Sequence, residues 1–280
     1  MDNYYAKVIA DSVSALWDVR LTTLEVRFPR FILAEFNTHR MFSRNSASSR
    51  AIPVHKRIEQ VRTNPFVPEA FALNKRGMQA GVQLTDEEAA EARRIWLEAS
   101  ELACNKAEEL MDMKVHKQWA NRLIEPYVWH TVVVTSTEWD NFFLQRDHED
   151  AQPEMQITAK LMREALNGST PVRKDVGEWH LPYIQEDEQE LPDDILVRVS
   201  SARSARTSYL TQGGIRDQEE DLGLYHRLRQ GRHMSPHEHV ARVVIPEGNA
   251  FNMQEGFYGN FRMPWWQHRK DIPGEDGIRV

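Results

Sequence analysis

Cysteine is almost missing from this chain: Cys104 stands alone among 280 residues. That excludes an intrachain disulfide and a cysteine-cluster metal site, and within a helix-like stretch it reads as a core residue. Long apolar runs are missing as well. No segment approaches the roughly 18 apolar residues of a membrane helix, and the opening MDNYYAKVIADS lacks the apolar centre of a signal peptide. A soluble, cytoplasmic protein with no membrane partner is expected. Positive charge is not in excess either: 35 Lys and Arg face 42 Asp and Glu, a net charge of -7. A nucleic-acid polymer is thereby disfavoured as a partner, because it requires a basic face against the phosphate backbone. What the chain does have is apolar residues, 41% of the total, enough for the core of one domain over residues 1–280.

Acidic side chains are absent from one stretch in particular, THRMFSRNSASSR over residues 38–50. His39, Arg40, Arg44 and Arg50 supply charge and forked donors, while Ser43, Asn45, Ser46, Ser48 and Ser49 supply hydroxyl and amide groups that suit phosphate oxygens. The same composition suits a Ser-rich loop that N-caps the next helix, and its chemistry alone does not choose between the two.

The elements around it follow from periodicity. A strand near residues 7–10 and a half-buried strand over 21–28, with Leu24, Val26 and Phe28 alternating with polar residues, lead to Pro29. A helix over FPRFILAEFNTHR then places Ile32, Phe36 and His39 or Arg40 on one side. Residues 51–83, with three prolines, read as an irregular crossing. Thr85 and Glu88 form a capping box for a long helix with a stripe of Ala92, Trp96, Ala99, Ala103, Ala107 and Leu110. A short helix carrying Arg122 ends before Pro126, and HTVVVTST reads as a strand buried on both sides. Trp139, Phe142, Phe143 and Arg146 have helical spacing; a helix from Pro153 to Leu166 stops at Asn167 and Gly168. Residues 168–194 read as an acidic surface excursion and 246–280 as an aromatic, basic tail without an assigned role. In GRHMSPHEH, Ser235, Pro236 and Glu238 fit N-cap, first turn and capping-box partner.

The spacing H-R-x-x-S-x-N-x-x-S-x-R, carried by His39, Arg40, Ser43, Asn45, Ser48 and Arg50, resembles the signature of the flavin-dependent thymidylate synthases. Departures from that family's pattern are Thr38, Ser46, Ala51 and Asp150, where it often has Arg, Glu, Tyr and His. The segment from Asn121 through W-x-x-F-x-x-x-R to A-Q-x-E, and the SARTSY and GRHMSPHEH blocks, resemble further family segments, with His233, Ser235, Glu238 and His239 matching the last. In the family this last block precedes the signature. Here it follows, so the sequence resembles a circularly permuted member, a rearrangement that compact domains tolerate because their termini often lie close together.

The resemblance implies an α+β fold with mixed helices and a central sheet. It implies transfer of a one-carbon unit from methylene-tetrahydrofolate to C5 of dUMP, with FAD as cofactor and NADPH as reductant, giving dTMP. By matching position, Arg146 and Ser48 are the catalytic candidates. Glu35, Ser46, Ala47, Ser48, Ser49, Arg50 and Arg122 are the substrate-binding candidates, and His39, Arg40, Ser46, Asn141, Ser208, His233, Ser235 and Glu238 those for FAD. No metal is implied. The plain reading of Arg122 and Arg146 is end-of-helix charge. A phage-type enzyme that acts on dCMP or transfers a hydroxymethyl group is the alternative on the same scaffold. From other classes stand a zinc hydrolase using His233, His237 and His239, and a non-catalytic flavin- or nucleotide-binding protein. A homotetramer with shared sites is expected from the resemblance; eight tryptophans, Trp265 and Trp266 among them, offer aromatic surface for its contacts.

Overall fold

A computed structural model describes residues 3–77, 79–207, 216–245 and 257–273. The chain begins with β1 (Tyr5–Ser14) and β2 (Arg20–Pro29), antiparallel and in register from Tyr5 opposite Arg27, with an irregularity between Val8 and Ala10. A 3-10 turn (Arg30–Ile32) and the single turn α1 (Leu33–Phe36) follow, then β3 (Ser43–Ser46), α2 (Val54–Thr63), α3 (Asp86–Asp112) and α4 (Lys117–Leu123). A second 3-10 turn (Glu125–Tyr127) leads into β4 (Trp129–Ser136), α5 (Asp140–Arg146) and α6 (Pro153–Asn167). The rest comprises β5 (Val172–Lys174), β6 (Trp179–His180), α7 (Asp193–Arg206), α8 (Gln218–Gln230), β7 (Ala241–Val243), β8 (Phe257–Tyr258), β9 (Phe261–Arg262) and β10 (Trp265–Gln267). The architecture is mixed α+β, with a five-stranded sheet in the order β3-β4-β2-β1-β5 in which only β5 pairs in parallel.

The strand alternation decides what each sheet face does. Leu24, Val26 and Phe28 of β2 and Val132 and Val134 of β4 face α5 and α6, where Phe142, Met155, Ala159, Met162 and Leu166 complete a dry core. The expected phase of α6 and its Gly168 stop are present. The opposite face is polar and equally buried. Ser12 Oγ lies 2.9 Å from His180 Nδ1, His180 Nε2 lies 2.8 Å from Thr23 Oγ1, Thr23 bonds Thr135 at 2.7 Å, and Thr135 bonds His239 Nδ1 at 2.8 Å. Pairing along the chain offsets the burial of these groups, although His239 Nε2 at its end finds no hydrogen-bond partner among the described residues.

Several expectations are revised. The helix read through Arg40 stops at Phe36; Ile32 and Phe36 are buried as expected, but His39 and Arg40 lie in the turn beyond it. The crossing segment contains α2, whose Val54, Ile58 and Val61 pack on Cys104, Ala107 and Ile124. Cys104 is in the core as read, and burial pushes its thiol up to about 11. The Thr85 and Glu88 capping box forms, but the buried stripe of α3 runs through Ser100, Cys104 and Ala107 while Ala99 is exposed. Helix α7 escapes periodicity because nearly its whole circumference is buried, ten of its residues from Leu196 to Arg206. The acidic excursion is not merely a solvated face: Glu188 pairs with Arg203, which with Arg206 also holds the buried Asp221 of α8. Residues Ser235–His239 form a 3-10 turn with Met234 at its N-cap and no side-chain cap, so the expected capping box is absent. The described part of the tail is structural. Strand β10 pairs with β7, Trp265 is fully buried with its indole N–H on the Val19 carbonyl, and Gln267 donates to Ser43. Trp265 is therefore core, not surface for contacts.

Candidate active site

Residues 47–52 follow β3 as a loop clamped from three directions. Asn121 of α4 donates to the Ser49 carbonyl at 2.7 Å and the Ile52 carbonyl at 2.8 Å, and Lys117 reaches the Ala51 carbonyl at 3.1 Å. Arg30 donates to the Ala47 carbonyl at 3.1 Å and to Ser49 Oγ at 3.3 Å. The Ser49 hydroxyl donates inward to Glu125, whose carboxylate also pairs with Arg30 at 3.2 Å and with Arg122 at 3.5 Å. Ser48 and Arg50 remain exposed at the rim, and Ala47 is buried. The fold thus brings Arg122 to residues 48–50 across more than seventy residues of chain, leaving Ser48, Arg50 and Arg122 outward and Ser49 turned to the interior.

Behind the loop lies a buried set of bases. The Arg30 guanidinium sits 3.3 Å from the ring nitrogens of His130, which burial and the two neighbouring arginines hold neutral, well below the ordinary histidine range. Arg57 is 4% exposed and hydrogen-bonds Gln60 at 3.3 Å; burial, helped by Arg30, lowers it to about 10, which leaves it charged at neutral pH.

At the other end of β3, Arg146 from α5 donates through Nε to His39 Nε2 at 2.9 Å and pairs with Glu35. Burial and the charges of Arg146 and Arg44 lower His39 to about 4. Its ring is neutral, and with Nε2 accepting, the proton resides on Nδ1. Phe142 meets this ring edge-on at 4.8 Å, and Phe42 lies tilted against it at 5.8 Å. Arg44 closes the turn by donating to the Phe36 and His39 carbonyls at 3.4 and 3.3 Å. Arg40 and Asn141 project beside it, both exposed and without a side-chain hydrogen bond among the described residues.

Strand β3 connects these two clusters and is itself held on the polar face. Asn45 donates to the Ser204 carbonyl of α7 at 2.8 Å and accepts from Ser235 at 3.3 Å; Glu238 pairs with Arg269, and Ser46 is half-buried. The three histidines of GRHMSPHEH diverge. His233 is exposed, His239 is tied to Thr135, and His237 packs against Tyr225 and His268. Among the described residues no three His, Cys, Asp or Glu side chains are placed to hold a metal ion, so the zinc-hydrolase alternative has no ligand set there. Ser208 lies outside the described residues.

The residues missed at the sequence level are Glu125, Arg30, Arg57, Lys117 and Asn121. A glutamate next to Pro126 and an arginine next to Pro29 look like turn residues, and nothing in their spacing reveals that they converge. A cavity of about 790 Å³ opens on the sheet beside Arg27, Thr131 and Gln60, with Glu25 held between the hydroxyls of Tyr5 at 2.9 Å and Tyr183 at 2.8 Å. Among the described residues, none of the expected site residues lines it.

Among curated proteins none matches the chain. Two crystal structures of PolB, a UMP/dUMP methylase from Streptomyces cacaoi, are similar in fold. The one bound with 5-Br UMP has 16% identity and a TM-score of 0.49, covering 59% of this chain and 89% of that one. The one bound with 5-Br dUMP has 17% identity and a TM-score of 0.48, covering 59% and 90%. Residues 1–172, which contain β3, the clamped loop, Arg122 and Arg146, match the family described as thymidylate synthase complementing protein. With more than half of its length matched, the chain belongs to the thymidylate synthase complementing protein family.

Proposed function

We propose that this protein transfers a one-carbon unit from methylene-tetrahydrofolate to C5 of dUMP, giving dTMP, with FAD as cofactor and NADPH as reductant. The observation that carries the reading is the clamped loop: Ser48 and Arg50 at its rim with Arg122 beside them, an outward set of one hydroxyl and two guanidinium groups in a family of thymidylate synthase complementing proteins. Such donors suit a phosphate monoester. Arg146 is the pyrimidine-binding group in this reading. Glu35 and His39 hold its guanidinium in place before substrate arrives, so in this reading it stabilises charge developing on a pyrimidine carbonyl oxygen without reorganising during the reaction. Neutral His39 acts as acceptor and holds that orientation.

The residues for FAD fit its chemistry. Arg40 and Asn141 offer donors unengaged among the described residues, Ser46 belongs to β3, and Ser235 docks on that strand through Asn45. The cofactor supplies the hydride that no side chain can carry. Glu238, three residues from Ser235, is paired with Arg269. The permuted order belongs to the same reading, supported by the docking of Ser235 on Asn45 from a segment 190 residues later.

Mass spectrometry of dUMP incubated with the protein, FAD, NADPH and methylene-tetrahydrofolate tests the proposal. A product heavier by one CH2, from a methyl group replacing the C5 hydrogen, is expected. A hydroxymethyl product, or turnover of dCMP in place of dUMP, would move the reading to the phage-type alternative, and no change in either nucleotide would overturn it.

A further inference from the structure

Residues 257–273, part of the tail to which the sequence assigns no role, reach back to the strand that connects the two clusters. Gln267 closes β10, opposite Ala241 of β7 in the antiparallel register, and is 2% exposed. Its Nε2 carries two protons and meets two acceptors, Ser43 Oγ at 3.0 Å and the Glu238 carbonyl at 3.1 Å. Both bonds leave one atom, so Ser43 Oγ and the Glu238 carbonyl oxygen lie no further apart than those two lengths allow. Ser43 opens β3 and is fully buried; Glu238 belongs to the Ser235–His239 turn, and its carboxylate pairs with Arg269, two residues beyond Gln267. The other end of the amide is confined as well. Gly259, at φ +72°, brings its backbone so close that a Cβ there would come to 2.3 Å from Gln267 Oε1. The direct side-chain link between turn and strand among the described residues, Ser235 to Asn45, is longer at 3.3 Å.

We propose that Gln267 is a positioning residue for FAD: it sets the distance between β3 and the Ser235–His239 turn, so that Ser46 on the one and Ser235 and Glu238 on the other meet the cofactor together. This rests on the proposed function. A set of contacts drawn from separate segments binds well only when their spacing is held to within about 0.5 Å, and a ligand that spans both segments loses affinity when either shifts. The nucleotide loop does not depend on this link, because Asn121, Lys117 and Arg30 hold it at the other end of β3. Loss of Gln267 should therefore weaken FAD and spare dUMP.

Gln267→Leu keeps the approximate size of the side chain and removes both donated bonds. FAD affinity, titrated by flavin fluorescence, should fall by about tenfold or more, while dUMP affinity at saturating FAD should change by less than about twofold. Ser43→Ala removes one of the two acceptors, should lower FAD affinity by about threefold, and should add little in the double variant; it serves alone if the leucine variant does not fold. Urea unfolding of the variants distinguishes positioning from simple support, because a merely structural link lowers stability and leaves the FAD affinity of the folded protein unchanged. That result, or equal losses for FAD and dUMP, overturns the inference and leaves the proposed function standing. A wild-type chain that binds no FAD overturns both.

Discussion

Acidification should unfold this protein above the usual carboxylate range, because four histidines are buried without charge. His130, His180, His237 and His239 are each at most 1% exposed. Burial lowers His180, His237 and His239 to about 3 and His130 well below the ordinary value. In the unfolded chain each returns to about 6.5 and takes up a proton as pH falls through that value, whereas the folded chain does not. Protonation therefore favours unfolding: stability is greatest above about pH 6.5 and falls between there and the folded values. A group shifted this far costs about 2 kcal/mol at pH 5, so the four together cost about 8 kcal/mol, comparable with the 5 to 15 kcal/mol that holds a typical domain folded. His39, lowered to about 4, adds to the same trend. Urea unfolding followed by the fluorescence of the eight tryptophans, repeated from pH 7 to pH 5, should give an unfolding free energy that falls by about 5 kcal/mol per pH unit near pH 5.5. A slope of about 1 kcal/mol or less would show that these histidines are already protonated in the folded state, and the reasoning would fail.

Arg50→Ala removes an exposed guanidinium from the rim and should weaken dUMP binding by about 10- to 100-fold, the loss of one charge-assisted contact, while flavin retention is unchanged; titration with equal affinity would remove Arg50 from the site. If the protein is a homotetramer with shared sites, mixtures of Arg50→Ala and Arg146→Ala chains should recover activity that neither has alone, and light scattering of a fully active monomer would exclude the assembly. Met162→Ala empties the dry core between α6 and the sheet and should cost about 2 to 5 kcal/mol, measured by denaturant unfolding; a loss under about 1 kcal/mol would mean that the core closes over the gap.

Local periodicity was sufficient wherever an element has one wet and one dry side, or is hydrophobic enough to be buried outright. Strand β2, the Val-rich β4, the phase of α6 and the α3 capping box were all legible on that basis. The spacing of Ser43, Asn45, Ser48 and Arg50 likewise singled out the stretch that carries β3 and the clamped loop, although it read as a loop and the strand Ser43–Ser46 was not foreseen. Even α2 was readable in principle, since Val54, Ile58 and Val61 have helical spacing after Pro53, but three prolines in that region obscured it.

What only the tertiary structure decided is which charges meet. Helix α7 has no dry stripe to read because it is buried nearly all round, and the pairing of Glu188 with Arg203 turns an acidic surface run into part of the packed molecule. The convergence of Glu125, Arg30 and Arg122 on the Ser49 loop depends on packing between α4, the turn after β2 and the loop itself. Side-chain identity and short-range spacing report what a segment prefers by itself. Electrostatic partners separated by seventy or more residues interact only after the core has set their distance, and that distance is a property of the whole fold.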